Sequence, residues 1–263
     1  MDSLFTIEGN ILKEINIDEI DELILPETIN TIGSYCFYDK TIKKVIIPSS
    51  VKKINDHAFT SSLVQEIVLP KNIEIGEYAF SNSLFLKKIN LPNNIKEIKV
   101  STFSRCSSLT DIEFPDSLEK ISEAAFSDCK SLDIKTLNNV KHIEKYAFAN
   151  CQSLKEIYGN NIEIIDTLAF TFCTSLEKAH FENIRLMGQF IFNKCAKLKL
   201  IILSDNFSLR PNMSCNANIR IGLYEYDSKY NVIKNTIDSL IKEGKSFKEI
   251  NKIFKSKGVE RWV

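Results

Sequence analysis

One apolar pattern returns along most of the chain about every 22 residues. Short runs with apolar residues at alternate positions, typical of strands, each lie upstream of one phenylalanine. The repeated phenylalanines are Phe37, Phe59, Phe80, Phe103, Phe126, Phe148, Phe170 and Phe192. A period this short accommodates one strand and a return path, which predicts a solenoid and not stacked helix pairs.

Prolines and phenylalanines divide each predicted coil into a strand and a core position. Five of the six prolines directly follow an apolar run: Pro26, Pro48, Pro70, Pro92 and Pro115. Because proline cannot donate to a strand ladder, these positions mark where strands end. Equivalent phenylalanines of successive coils would stack at roughly 4.8 Å, the strand spacing, as one buried column.

The unit from Cys106 to Cys129 resembles the BspA-like (treponemal-type) leucine-rich repeat. Its phase is set by Leu109, Ile112, Pro115, Ala125 and Phe126. The resemblance covers about Asp21 to Leu203 and implies a right-handed horseshoe with a parallel sheet on one face, in the α/β horseshoe class but strand-rich. Members of this family often act as surface-exposed binding or adhesion proteins. The chain departs from the pattern at Lys135, an expected apolar strand position, at Lys40 and Ser62, where Cys is expected, and in the last four strands, which lack proline.

Four segments are predicted. Residues 1–20 form an N-terminal hairpin cap, 21–207 the solenoid, 208–228 a linker, and 229–263 a basic helical cap. The linker follows the point after Leu203 where the repeat pattern ends. In the last segment, helical periodicity ends at Gly244 and a capping box at Ser246–Glu249 opens a second helix, which predicts a helical hairpin.

A surface adhesin of the BspA-like type is the first alternative to an intracellular scaffold, and the basic tail suggests nucleic-acid binding as another. From Lys229 to Arg261, nine Lys or Arg residues stand against four acids, a net of +5. The stretch 241–250 also resembles the turn of a DNA-binding helix-turn-helix. Capping is favoured over nucleic-acid binding, because base readout needs Arg, Asn or Gln, while the outward face of the second helix offers chiefly Lys248, Asn251, Lys252 and Lys255.

Five of the seven cysteines form their own column, three residues after the repeated phenylalanine. They are Cys106, Cys129, Cys151, Cys173 and Cys195. Buried free thiols are favoured over a disulfide or a zinc site, because the count is odd and no Cys-x-x-Cys pair with a nearby His occurs. Reduced thiols fit a reducing compartment, which favours the cytoplasm, with the cell surface as the alternative.

Alternation along the strands predicts two outward columns on the sheet. The first reads Glu22, Lys44, Glu66, Lys88, Asp111, Ile134, Glu156, Lys178 and Leu200, and its first five members alternate in charge. Such alternation fixes register, and we favour this structural role over binding. The second column, the predicted partner-binding set, reads Ile24, Ile46, Val68, Asn90, Glu113, Thr136, Tyr158, His180 and Ile202.

The second column contains two candidate recognition features. Ile24, Ile46 and Val68 form an apolar stripe, which either meets a partner or is covered by the N-terminal cap or a flanking loop. Tyr158 and His180 form its only polar-aromatic pair and are the predicted hot spot.

Composition and motifs argue against catalysis and against a membrane span. Apolar residues make up 44% of the 263 residues, and the 34 basic and 34 acidic side chains cancel. No apolar run approaches the roughly 18 residues of a spanning helix, and no secretory signal is visible. His57, His142 and His180 occupy unrelated phases, the first two being expected at surface or turn positions, and no phosphate loop, zinc spacing or nucleophile elbow occurs. We therefore expect a monomeric, non-enzymatic scaffold that binds another protein and needs no cofactor or metal.

Overall fold

The computed structural model describes residues 4–203, the strand at 220–222 and the isolated positions Glu243 and Glu249. Every regular element in residues 4–203 is a strand. The sequence predicted the α/β horseshoe class, and the described residues form a strand-rich solenoid without a helical side. The helical hairpin predicted for 229–263, with its helix-turn-helix resemblance, lies outside the described residues.

The predicted N-terminal hairpin is present. Strands β1 (Phe5–Glu8) and β2 (Ile11–Ile15) pair antiparallel, and Gly9 between them adopts a φ of 60°. Glycine is suited to this left-handed turn because it lacks a Cβ. Strand β2 also pairs in parallel with the next coil, so the hairpin leads directly into the solenoid.

Two stacks of parallel strands run along the solenoid, where the resemblance implied a sheet on one face. The first stack contains β3 (Glu19–Ile24), β5 (Thr41–Ile46), β7 (Glu66–Val68), β9 (Lys88–Asn90), β11 (Asp111–Glu113), β14 (Glu156–Gly159), β16 (Lys178–Phe181), β18 (Leu200–Leu203) and β19 (Arg220–Gly222). The second contains β2 and the two-residue strands β4 (Thr31–Ile32), β6 (Lys53–Ile54), β8 (Glu74–Ile75), β10 (Glu97–Ile98), β12 (Lys120–Ile121), β13 (His142–Ile143), β15 (Ile164–Ile165) and β17 (Leu186–Met187). Strand β19 pairs in parallel with β18, although it falls in the predicted linker.

The phenylalanine column lies between these stacks. Neighbouring ring centroids are 3.9 Å apart at Phe37–Phe59, 5.2 Å at Phe80–Phe103 and 5.7 Å at Phe170–Phe192. All eight rings are buried, and Phe114 adds an edge-on contact to Phe126. The predicted aromatic column is therefore confirmed, and each coil depends on its neighbours to bury its ring.

Each coil turns at the residues two before and two after its phenylalanine. The residues before it have φ between 50° and 62°: Tyr35, His57, Tyr78, Ser101, Ala124, Tyr146, Leu168 and Phe190. Those after it have φ between 56° and 62°: Asp39, Ser61, Asn82, Arg105, Asp128, Asn150, Phe172 and Lys194. This left-handed conformation costs side-chain-bearing residues roughly 1–2 kcal/mol each. Hydrogen bonds between coils offset that cost: at one coil, the N–H groups of His57 and Ser61 donate to the carbonyls of Glu77 and Ser81 at 3.1 and 2.9 Å.

The coil at 131–137 interrupts the first stack. It has no strand and only one isolated bridge, between Thr136 and Tyr158. Ile134, predicted to point outward, is buried, and Lys135 beside it is exposed. Because a lysine is rarely buried without a partner, Ile134 replaces it on the core side and the alternation reverses locally. The stack is consequently divided into a sheet ending at β11 and one starting at β14.

Candidate functional site

The candidate site is the exposed side of the first stack, hereafter the sheet face. Its first outward column has the predicted register, with Glu22, Lys44, Glu66, Lys88 and Asp111 side by side on five strands. Lys44 lies 3.6 Å from Glu22, and Lys88 lies 3.4 Å from Asp111. The alternating charges are thus neighbours and favour this register by about 0.2–1 kcal/mol per pair.

The apolar stripe of the second column is accessible at its N-terminal end. Ile24, Ile46 and Val68 are neighbours in the pairing, and Ile24 is 62% exposed while the other two are half-buried. The N-terminal hairpin, one of the two covers considered as alternatives to a partner, belongs to the second stack. Of the three stripe residues, Ile24 is the one that is exposed for contact.

In the middle of the second column, Asn90 stabilises the fold, while Glu113 and Thr136 are exposed at the surface. The side-chain amide of Asn90 accepts a hydrogen bond from the Leu69 N–H at 3.1 Å and donates to the Leu69 carbonyl at 3.4 Å. It thereby continues the pairing where the backbone ladder stops. Glu113 lies beside Asn90 and is exposed, as is Thr136 in the interrupted coil.

Tyr158 and His180 lie side by side on β14 and β16, with ring centroids 6.0 Å apart in an edge-on arrangement. The Tyr158 hydroxyl donates to Glu156 Oε2 at 2.9 Å, and Lys178 Nζ lies 5.1 Å above the Tyr158 ring. His180 Nε2 is 3.6 Å from Glu182 Oε1. We call these five residues the Tyr158 cluster. The structure thus brings together the predicted aromatic pair and adds three charged neighbours.

Burial sets the protonation state of His180. Desolvation lowers the pKa of its imidazole, nearby Glu182 opposes this shift, and Lys178 adds to it. The lowered pKa keeps the ring neutral near pH 7, so the imidazole has one donor and one acceptor nitrogen. This suits a hydrogen-bonding contact with a partner better than an ionic one.

The second stack carries a charge ladder that the sequence analysis missed. Lys120 Nζ lies 3.0 Å from Glu97 and 2.9 Å from Glu144, and His142 Nε2 lies 2.9 Å from Asp166. His142 lies in strand β13 with 30% of its side chain exposed, which agrees with the expected surface position. The signal was available, because Lys53, Glu74, Glu97, Lys120 and His142 share one phase of the repeat.

A short aromatic stack on the turns was also missed. His57 lies between the rings of Tyr35 and Tyr78, with centroid distances of 5.1 and 4.8 Å. Its Nδ1 is 3.3 Å from the hydroxyl of Thr60. His57 does occupy a turn, as expected, and these contacts give it a structural role there.

The cysteine column is a hydrogen-bonded feature of the interior. The Sγ of Cys129 lies 3.1 Å from the carbonyl of Phe103, and that of Cys151 lies 3.2 Å from the carbonyl of Phe126, in each case the column phenylalanine of the preceding coil. Burial raises the pKa of both thiols well above the usual value. Protonated, buried thiols are poor nucleophiles, so these cysteines suit packing and not reaction. Ser83 fills the same place two coils earlier, donating to the Phe59 carbonyl at 2.7 Å.

In the part of the chain that the structure describes, no group of three His, Cys, Asp or Glu side chains is arranged to hold a metal ion. Over the same residues, no helix has the length and apolarity that a membrane crossing requires.

These features define a class of protein: a strand-rich leucine-rich-repeat solenoid whose surface chemistry is arranged in columns. A match to the repeat model of a known family establishes the family of this chain. The BspA type leucine rich repeat region matches in six copies over residues 2–110 and 97–220, so the chain belongs to this family. Its members commonly mediate protein interaction or adhesion.

Solved structures of bacterial leucine-rich repeat proteins resemble the fold. A Bacteroides ovatus leucine-rich repeat protein is 26% identical with a TM-score of 0.56, over 74% of this chain and 58% of that protein. The T. pallidum leucine rich repeat protein is 26% identical with a TM-score of 0.52, over 72% of this chain and 82% of that one. The chain thus spans little more than half of the Bacteroides ovatus protein. No curated protein matches the sequence.

Proposed function

We propose that this protein is a non-enzymatic scaffold that binds a partner protein on its sheet face. The observation that carries the proposal is the register of the second outward column, in which the apolar stripe, exposed at Ile24, and the Tyr158 cluster lie on the same side of the first stack. Eight coils at roughly 4.8 Å span about 35–40 Å, enough for an extended protein contact.

The Tyr158 cluster is the proposed centre of that contact. Tyrosine is enriched among residues that dominate binding energy, because its ring buries a large area while its hydroxyl keeps a hydrogen bond. Here Glu156 holds the hydroxyl and Lys178 covers one side of the ring. The side chain is therefore oriented before a partner arrives, which reduces the entropy lost on binding.

The reactive residue types of the described chain are occupied structurally, which supports a non-catalytic role. The thiols of Cys129 and Cys151 are buried with raised pKa values, His57 lies between two tyrosines, and His142 contacts Asp166. A regular solenoid surface also lacks the enclosed pocket that active sites usually occupy.

A capture experiment tests the proposal. The full-length protein and the double variant Tyr158→Ala, His180→Ala are immobilised and exposed to an extract of the source cells. A matched double variant on the turns, Tyr35→Ala and Tyr146→Ala, is the control. We expect the first variant alone to lose a protein that the unsubstituted chain captures. If both variants capture the same set as the unsubstituted chain, the sheet-face site is wrong.

We further propose a monomeric protein, and a location in the cytoplasm that the row of buried free thiols supports. Labelling of intact cells with a membrane-impermeant reagent distinguishes this location from the cell surface. A shortened chain ending at Asp227, titrated with DNA over a salt series beside the full chain, tests the nucleic-acid alternative. Equal DNA affinity of the two chains excludes binding through the tail.

A further inference from the structure

The outer edge of β3 is an open edge of the first stack. Strand β3 pairs with β5 on one side, and no strand in the described part of the chain pairs with its other side. Leu25 donates its N–H toward β5, to the carbonyl of Ile46 at 3.1 Å. Because backbone groups of successive residues point to opposite sides of a strand, those of Glu22 and Ile24 point to the open side. They are available to pair with an added strand.

This edge is strongly acidic. Asp18, Glu19, Asp21 and Glu22 are four acids within five residues. Three of them contact lysines of the following coil: Asp18 with Lys40 at 2.9 Å, Asp21 with Lys43 at 2.7 Å and Glu22 with Lys44 at 3.6 Å. The acidic side chains remain accessible beside these lysines, with exposed fractions of 95% for Asp18, 81% for Asp21 and 50% for Glu22.

Elsewhere in the molecule, one charged side chain forms ion pairs with both neighbouring coils. Lys120 contacts Glu97 on one side at 3.0 Å and Glu144 on the other at 2.9 Å. By the same spacing, a cation on a strand added outside β3 reaches Glu22 while Lys44 holds it from within. Ile24 offers a second contact, because it is 62% exposed where the in-register Ile46 is half-buried.

The same charges decide against a second copy of this edge. Antiparallel pairing of β3 with another β3 would place acids opposite acids, which is unfavourable, and charged edge strands commonly prevent such association. A strand with basic residues would instead place positive charges opposite these acids, which is favourable. The edge therefore disfavours pairing with a second copy of β3 and favours pairing with a cationic segment.

We propose that the outer edge of β3 binds an extended basic peptide segment of a partner protein as an additional parallel strand. A Lys or Arg lies opposite Glu22, and an apolar residue two positions later lies opposite Ile24. The backbone groups of Glu22 and Ile24 supply hydrogen bonds, as in other cases of strand addition to a sheet edge. This site goes beyond the proposed sheet-face function and does not depend on it.

The chain itself provides the probe. The chain's own segment 40–48 contains β5, which pairs with β3 from the inner side, with Lys44 opposite Glu22 and Ile46 opposite Ile24. A labelled peptide with this sequence is the probe. Its binding to the full-length protein is followed by fluorescence anisotropy over a salt series. The control peptide has glutamate in place of Lys43 and Lys44. We expect binding of the first peptide only, weakening as salt screens the charges.

Two protein variants locate the contact. Ile24→Pro removes one outward N–H and leaves the inward bond of Leu25 in place, and we expect about threefold to tenfold weaker binding. Glu22→Gln removes the charge and is expected to weaken binding up to about fivefold. Glu66→Gln, in the same column but between two strands, is the matched control and leaves affinity unchanged. The urea midpoint of each variant verifies that it folds.

Amide exchange provides a readout that needs no variant. We expect saturating peptide to slow amide exchange at Glu22 and Ile24 in the unsubstituted protein. A separate affinity measurement distinguishes this site from the sheet-face site: the Tyr158→Ala, His180→Ala variant is expected to bind the peptide as tightly as the unsubstituted protein does. The proposal is overturned by absence of binding at millimolar peptide, by equal binding of the acidic peptide, or by affinities that neither Ile24→Pro nor Glu22→Gln changes. A concentration-dependent dimer that Ile24→Pro abolishes would instead identify a second copy as the occupant and also overturn it.

Discussion

The two halves of the sheet face share one interior and differ at the surface. Before the interrupted coil at 131–137, strands β7, β9 and β11 have three residues and the first column alternates in charge. After it, β14, β16 and β18 have four residues, and the Tyr158 cluster replaces the alternation. The phenylalanine column continues through both halves. The core thus fixes the coil, while the surface columns vary independently of it.

Proline explains why β7, β9 and β11 end one residue earlier in the repeat than β14, β16 and β18 do. In the first half, Pro70, Pro92 and Pro115 follow the final apolar residue and have no N–H to donate to the neighbouring coil. In the second half, Gly159 pairs with Phe181 and Phe181 with Leu203, extending each strand by one residue. The absence of proline from the last strands, first seen as a departure from the repeat, therefore has a structural consequence at the Tyr158 cluster.

The largest expected effect tests whether the interior is equivalent in both halves. Phe103→Ala and Phe148→Ala each remove a buried ring stacked about 5.2–5.4 Å from its neighbours. We expect each to lower the free energy of unfolding in urea by about 3–5 kcal/mol. Phe172→Ala, at a half-exposed turn position, is the control and should change it little. A loss below about 1 kcal/mol in only one half would show that the column does not stabilise both halves equally.

Joining the two halves is the second test. Lys135→Ile restores an apolar residue at the expected strand position, where it takes the core side in place of Ile134. Apolar burial is then unchanged, and the backbone hydrogen bonds that join the two sheets should raise the free energy of unfolding by about 1–2 kcal/mol. Amide exchange should slow at Tyr158, which already donates to the Lys135 carbonyl at 2.8 Å. Lys135→Gln changes the charge alone and serves as the control. Destabilisation by Lys135→Ile would show that the buried Ile134 already fills the space.

A third test compares the residues that bond the phenylalanine carbonyls. The coil of Phe80 uses Ser83, and the following coils use cysteines at the same position, from Cys106 onward. Cys129→Ala should cost about 1–2 kcal/mol, because it leaves a small cavity and removes the donor to the Phe103 carbonyl. Cys129→Ser should cost less, since a hydroxyl fills this role at Ser83. Equal costs in urea unfolding would mean that volume, and not the hydrogen bond, sets the preference.

The smallest expected effect concerns acid sensitivity of the second stack. The pKa of Glu97 is lowered: burial alone would raise it, but hydrogen bonds from Ser122 and Lys120 outweigh burial. A lowered folded pKa gives stability above the ordinary carboxyl range near pH 4.3 that is lost as pH falls through the folded value. After solvent screening, we expect no more than about 1 kcal/mol. In the Glu97→Gln variant, the urea midpoint should fall less steeply between about pH 5 and 3 than in the unsubstituted protein. If the slope is unchanged, other carboxylates cause the loss of stability in acid.

Much of the candidate site was predictable from the sequence, because the repeat brings equivalent positions side by side. The register of Glu22 with Lys44 and of Tyr158 with His180 follows once the phase is set by the phenylalanines. Ile134 was placed wrongly, since alternation assumes an uninterrupted strand and Lys135 breaks it. The positions of Glu156 and Lys178 around Tyr158 depend on side-chain rotamers, which periodicity does not specify.

The sequence by itself determined the repeat length, the buried aromatic and thiol columns and the family, because each is a property of spacing and residue type. Only the tertiary structure decided that each coil crosses a second stack, that left-handed turns flank each phenylalanine of the buried column, and that β3 keeps an acidic open edge. These features depend on backbone hydrogen bonds between neighbouring coils, and such bonds leave no signature in the identity of any single residue.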